Sequence, residues 1–114
     1  MSKRSPITTH VLETSLGQPA KGLHVTLDRQ ESSGAWNTLA QGKTNDQGRI
    51  EDLLEPGSAP EAGTYRLQFK TGEYYGSKPC FYPLIEITFE VGNEAHYHVP
   101  LLLNPFGYST YRGT

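Results

Sequence analysis

Apolar and polar residues alternate with a period of two in a succession of short runs, each closed by Gly, Pro, Asn or Asp, and sustained helical periodicity is missing almost everywhere. Such alternation puts one side of a strand in a core and the other against water. The first run is ITTHVLE, residues 7–13, closed by TSLGQPAKG. In LHVTLDRQ, residues 23–30, Leu23, Val25 and Leu27 share one face while His24, Thr26 and Asp28 share the wet one. WNTLAQG follows the loop ESSGA, and the turn NDQG delivers Arg49 into the short segment RIEDL. In TYRLQFK, Tyr65, Leu67 and Phe69 alternate with Arg66, Gln68 and Lys70; in LIEITFEV, Ile85, Ile87, Phe89 and Val91 alternate with Glu86, Thr88 and Glu90. A Gly-Asn turn leads from there into EAHYHVPLLL, which predicts a hairpin between these last two strands. TGEYYGSKPCFYP, residues 71–83, reads as a short helical turn and a loop ended by Pro79 and Pro83. The expected fold is all-β: a sandwich of two antiparallel sheets with about eight strands and one short helix.

Two strands depart from the one-sided pattern. In HYHVPLLL, Tyr97, Val99, Leu101 and Leu103 make one apolar face, yet the other face, His96, His98, Pro100 and Leu102, is also substantially apolar. ITTHVLE behaves alike, with Ile7, Thr9 and Val11 against Thr8, His10 and Leu12. A sandwich strand needs only one apolar face, so a second predicts that another subunit covers this sheet, and both strands place a histidine there. The tail NPFGYSTYRGT, residues 104–114, carries Tyr111 and Arg112 in a strand-like alternation where chains ordinarily fray.

Composition narrows the choice of partner. At 114 residues the chain reads as a single domain, 1–114, with no linker or repeat. A net charge of −2, with both signs scattered, provides no basic stripe for nucleic acid and no cationic face for a membrane. No run has the length of an export or membrane-spanning segment, so a soluble, cytoplasmic protein is expected. The lone Cys80 has no partner for a disulfide or a thiolate metal site and reads as a free structural thiol in a reducing compartment.

Histidine is the first candidate for chemistry because it exchanges a proton near neutrality. His24 belongs to a wet strand face; His96 and His98, two apart on a strand, point the same way with Cα atoms about 6.5–7 Å apart. Three readings compete for His10, His96 and His98. They suit a three-imidazole zinc site. Alternatively His10 and His98 form a metal-free acid/base pair, with Arg49 holding an anionic substrate or a developing oxyanion. Or they are polar residues bridging an interface. No phosphate loop, nucleophile elbow or HExxH motif is present.

Taken together, ITTHVLETSLGQPAKGLHVTL, TNDQGRI, FYPLIEITF and HYHVPLLLNPFGYSTYRGT resemble the 5-hydroxyisourate hydrolases, the transthyretin-related enzymes of purine catabolism, over essentially the whole chain. The most specific element is the tail, since those enzymes typically end in Tyr-Arg-Gly-Ser. The resemblance implies a transthyretin-like sandwich, a homotetramer built as a dimer of dimers with sites at the dimer-dimer interface, and no metal or cofactor. It places catalytic roles on His10, Arg49 and His98, substrate contacts on Tyr111, Arg112, Gly113 and Thr114, and no catalytic role on His96. Thr114 departs from the usual serine; it keeps the hydroxyl and adds a methyl group. The implied reaction is hydrolysis of 5-hydroxyisourate to 2-oxo-4-hydroxy-4-carboxy-5-ureidoimidazoline. The other reading is a transthyretin-like module that binds a small ligand or a protein without catalysis.

Overall fold

The computed structural model describes residues 4–114. Strands β1 (Ile7–Glu13), β2 (Gln18–Pro19), β3 (His24–Gln30), β4 (Trp36–Lys43), β5 (Arg49–Ile50) and β6 (Gly63–Phe69) precede one helix, α1 (Thr71–Tyr75). β7 (Ile85–Val91), β8 (Tyr97–Asn104) and β9 (Gly107–Thr110) follow. One sheet runs β2-β1-β8-β9 with β5 also paired to β1; the other runs β4-β3-β6-β7. The inward faces that alternation singled out meet between the sheets: Val11, Leu23, Leu27, Leu67, Phe69 and Leu101 are all fully or almost fully buried. Each such side chain contributes about 1.5–3 kcal/mol on leaving water.

The expected hairpin between β7 and β8 does not form. β7 pairs with β6 in one sheet, whereas β8 lies between β1 and β9 in the other, so residues 92–96 cross from sheet to sheet. The Tyr97 hydroxyl holds that crossing by accepting the backbone N–H groups of Gly92 and Glu94, at 2.8 and 3.1 Å. β8 thereby fills both of its hydrogen-bonding edges, and its apolar side faces that of β7 across the core instead of lying beside it. A second refinement concerns direction: β1 and β8 run parallel, in register from Ile7 opposite Tyr97 to Glu13 opposite Leu103, while the other pairings are antiparallel. Parallel neighbours need a long connection, and most of the chain lies between these two.

The wet face of β3 is drier than its pattern suggests. Asp28 is fully buried, where Thr38, Gln68 and Arg66 donate hydrogen bonds to its carboxylate, and the Arg66 guanidinium lies over the Trp36 ring. These donors and the Arg66 charge outweigh the effect of burial and hold Asp28 below the usual carboxylate pKa. The five-residue α1 is too short to persist alone. Its Tyr75 hydroxyl donates to the buried carboxylate of Glu13, which also accepts the Ser15 N–H and hydroxyl, each at 2.6 Å. The far end of β1 is therefore anchored, and no helix among the described residues is long and apolar enough to cross a membrane.

Candidate active site

The outer face of the β1/β8 sheet collects the residues of interest. Side chains on β1 alternate, so Thr8 and His10 point outward while Ile7, Thr9 and Val11 point into the sandwich. The parallel register sets Thr8 opposite His98 and His10 opposite Pro100. Arg49 arrives from the other side of β1, where the short β5 pairs it directly with His10.

Local sequence explains how Arg49 is delivered. The side-chain oxygen of Asn45 accepts the backbone N–H groups of Gln47 and Arg49, at 2.9 and 3.0 Å, and closes the turn. Gly48 follows with a positive φ of 76°, and a Cβ there would come within 2.3 Å of the Val11 carbonyl oxygen. Only glycine lets the turn press this closely on β1. Among the described residues the ion pairs belong to Lys21, Arg29, Arg66 and Arg112; Arg49 enters none, so its charge is free for an anion.

The tail closes the other edge. β9 pairs with β8 from Asn104 opposite Gly107 to Leu101 opposite Thr110, and the same register carries on to a bridge between His98 and Gly113. Gly113 donates its N–H to the His98 carbonyl at 2.8 Å. This register sets Tyr111 and Gly113 on the side of His98 and sends Arg112 to the side of Tyr97. There Arg112 lies over the Tyr97 ring and pairs with Glu94 at 2.9 Å. Thus His10, Arg49, His98, Tyr111 and Gly113 share a face, whereas the Arg112 guanidinium turns away from it. Thr114 is exposed just beyond. The hollow bordered by His98 and Tyr111 also takes in Arg112, Tyr97 and, from β7, Ile87 and Phe89, while Arg49 borders a different one, so on a single chain neither of these two hollows joins Arg49 to His98.

One participant, Thr8, was not singled out by spacing. The Thr8 hydroxyl, 1 % exposed as a residue, lies 2.7 Å from His98 Nδ1 and 3.0 Å from His96 Nε2. His96 Nδ1 in turn accepts a hydrogen bond from Arg4 at 3.3 Å. The alternation of ITTH puts Thr8 on the face of His10, which is the only sign of it in the sequence. The His96 and His98 rings lie nearly parallel with centroids 6.3 Å apart, linked through threonine. His24, by contrast, bonds only with Gln41 on the other sheet, at 2.9 Å.

Electrostatics favour neutral imidazoles here. Burial and then the Arg49 charge lower the pKa of His10, against weaker upward effects of the Gln47 carbonyl and Glu51. Burial lowers that of His98 too, followed by Arg49, His96, His10 and Arg4. His96 is lowered by burial and by Arg4, with Glu51 opposing. An uncharged imidazole pair beside a free guanidinium is suited to taking a proton from water near an anionic substrate.

A family model described as HIUase/Transthyretin matches residues 7–113. The chain belongs to that family. A protein named 5-hydroxyisourate hydrolase 2 from Rhizobium meliloti (strain 1021) is 44 % identical over the full length of both chains. Among solved structures, that of Klebsiella pneumoniae 5-hydroxyisourate hydrolase superposes with a TM-score of 0.84 at 37 % identity, covering 96 % of this chain and all of the other. Sea bream transthyretin in complex with thyroxine superposes with a TM-score of 0.88 at 30 % identity, covering 96 % of each. Both structures thus share this backbone, so the fold alone does not distinguish catalysis from ligand binding.

Proposed function

We propose that this protein hydrolyses 5-hydroxyisourate to 2-oxo-4-hydroxy-4-carboxy-5-ureidoimidazoline. The observation that carries this reading is the meeting of His10, Arg49 and His98 on one outer face, with Arg49 in none of the ion pairs among the described residues. One imidazole of the pair accepts a proton from the attacking water as its oxygen bonds to the ring carbonyl carbon. The carbon–nitrogen bond then breaks and the leaving nitrogen takes up a proton. A positioned base contributes typically about 10²- to 10⁴-fold in rate. Arg49 orients the anionic ring and offsets charge growing on the carbonyl oxygen. Tyr111, Gly113 and Thr114 border the site and contact the substrate's polar edges, and Arg112 would join them only by leaving Glu94.

The open face and the apolar character of Pro100, Leu102 and Leu12 support a homotetramer, a dimer of dimers that encloses the site at the dimer-dimer interface. The likeness to thyroxine-bound transthyretin supports a second reading, a ligand-binding module without catalysis. Freshly generated 5-hydroxyisourate distinguishes them: catalysed loss of its ultraviolet absorbance is expected, and decay at the spontaneous rate would leave the binding reading.

The pH dependence follows from the imidazoles. The base works uncharged, and the pKa values of His10 and His98 are both lowered from 6.5. Protonation, and with it loss of rate, is therefore delayed as pH falls. The acid limb of kcat/KM is expected to lie below pH 6.5, measured from initial rates across pH 5–8.

A further inference from the structure

From the hydrogen bonds around His98 we infer that Thr8 and His96 are positioning residues that hold His98 as its Nε2–H tautomer, making it a neutral hydrogen-bond donor and leaving the base role to His10. The assignment rests on the hydrolase reading and concerns which histidine does what within that site.

The directions of the hydrogen bonds carry the argument. A guanidinium has only donors, so Arg4 must donate to His96 Nδ1, which therefore bears no proton. A neutral His96 then carries its proton on Nε2, the atom that faces the Thr8 hydroxyl. That hydroxyl accepts from His96 and has one hydrogen to give. The remaining neighbour in reach is His98 Nδ1, at 2.7 Å, the shortest of the three contacts that link Arg4, His96, Thr8 and His98. His98 Nδ1 thus accepts, and a neutral His98 holds its proton on Nε2. The relay runs one way, from Arg4 through His96 and Thr8 to His98, because its first member never accepts.

Geometry keeps the relay in place. Thr8 and His98 are direct register partners on adjacent parallel strands, and the buried Thr8 side chain has its hydroxyl between the two rings. Gly113 lies against the Cδ2 edge of the His98 ring, which limits the ring from the other side. The charged and titratable groups that act on His98 are Arg49 from β5, His10 from β1, and His96 and Arg4 beside it; Glu51 acts on His10 and His96. All four acting on His98 disfavour its imidazolium, consistent with a ring that works uncharged.

A neutral imidazole with a fixed N–H stabilises a developing oxyanion without exchanging a proton, as a neutral histidine does at other carbonyl-polarising sites. His10 is differently placed. Burial and the Arg49 charge lower its pKa overall, and the Gln47 carbonyl opposes them, which partly offsets the cost of becoming an imidazolium on taking the water proton. The division of labour between two similar side chains then comes from their neighbours, a donor chain for one and a carbonyl for the other.

The test is the nitrogen-15 spectrum of the full chain labelled in histidine, above the imidazole pKa values, with His98 assigned from the signals lost in His98→Gln. The long-range proton-nitrogen pattern is expected to show Nδ1 unprotonated and Nε2 protonated. A His98 protonated on Nδ1 would overturn the proposal, and this reading needs no relay variant to fold. In Thr8→Val, which removes the hydroxyl at constant shape, mixed tautomers and a fall in kcat of about tenfold are expected, with KM changed less. Thr8→Ser is expected to recover the wild-type tautomer and the greater part of kcat. Wild-type tautomer and turnover in Thr8→Val would also overturn it. Absence of hydroxyisourate turnover in the wild type would instead remove the hydrolase reading, while the spectrum still decides the tautomer.

Discussion

His98→Ala is expected to lower turnover of 5-hydroxyisourate by about 10²- to 10⁴-fold, the range lost when a positioned acid/base or oxyanion-stabilising group is removed. The fold should survive, because the His98 side chain lies on the outer face of the sheet, while the apolar core is made by its neighbours Tyr97 and Val99 on the other side. The backbone bonds from β8 to β1 and to Gly113 do not involve the imidazole. The largest local change is that the Thr8 hydroxyl loses its acceptor, and water entering the space left by the ring can replace it. Thermal unfolding together with a progress curve at saturating substrate separates the two effects. A variant that unfolds near the wild-type temperature but turns over at the wild-type rate would remove His98 from the site.

Gly113→Ala is expected to cost about 10²-fold in kcat/KM, although it adds a single methyl group far from the core. A Cβ at this position would meet His98 Cδ2 at 2.5 Å and both His98 Cγ and Pro100 Cγ at 3.2 Å. Gly113 is not among the positive-φ glycines, so alanine accepts the backbone without strain and the clash alone is responsible. Pro100 is held in β8 and cannot yield. Either the imidazole swings and loses its contact with Thr8, or the tail lifts and breaks the Gly113 N–H bond to the His98 carbonyl. Both outcomes displace the ring or uncover it. Melting temperature should change little, since the tail contributes nothing to the buried core. Full activity in Gly113→Ala would mean that ring and tail move freely past one another, and that the site tolerates the displacement.

Much of the sandwich was legible in the chain because a strand with one buried face must alternate. ITTHVLE, LIEITFEV and TYRLQFK show that alternation and become β1, β7 and β6 with boundaries shifted by at most one residue. The double-sided character of β1 and β8 was legible in the same way, and these are the adjacent strands that carry the two histidines. What alternation cannot encode is which edge a strand pairs with. The Gly-Asn turn after Val91 satisfied every local rule for a hairpin, yet β8 took β1 and β9 as neighbours. Local turn chemistry was outweighed by a pairing with residues some ninety positions earlier.

The candidate site divides along similar lines. His10, Arg49, His98 and the tail were visible as residue types with chemical potential and as a family resemblance. The opposite direction of Arg112 depends on the register of β9, where a shift of one residue exchanges the two faces. Thr8 was invisible as a functional residue, because a threonine in a strand is ordinarily a matter of propensity.

The sequence by itself therefore determined the longer strands, though not the two-residue β2 inside the expected turn, together with the inward faces and the set of side chains capable of acid/base work, all of which depend on residues close together in the chain. Tertiary structure alone decided that β1 and β8 lie side by side and parallel, that β5 sets Arg49 opposite His10, and that Thr8 stands between two histidines. Those are distances between residues far apart in sequence, settled by burying two sheets against each other while every strand edge seeks a partner.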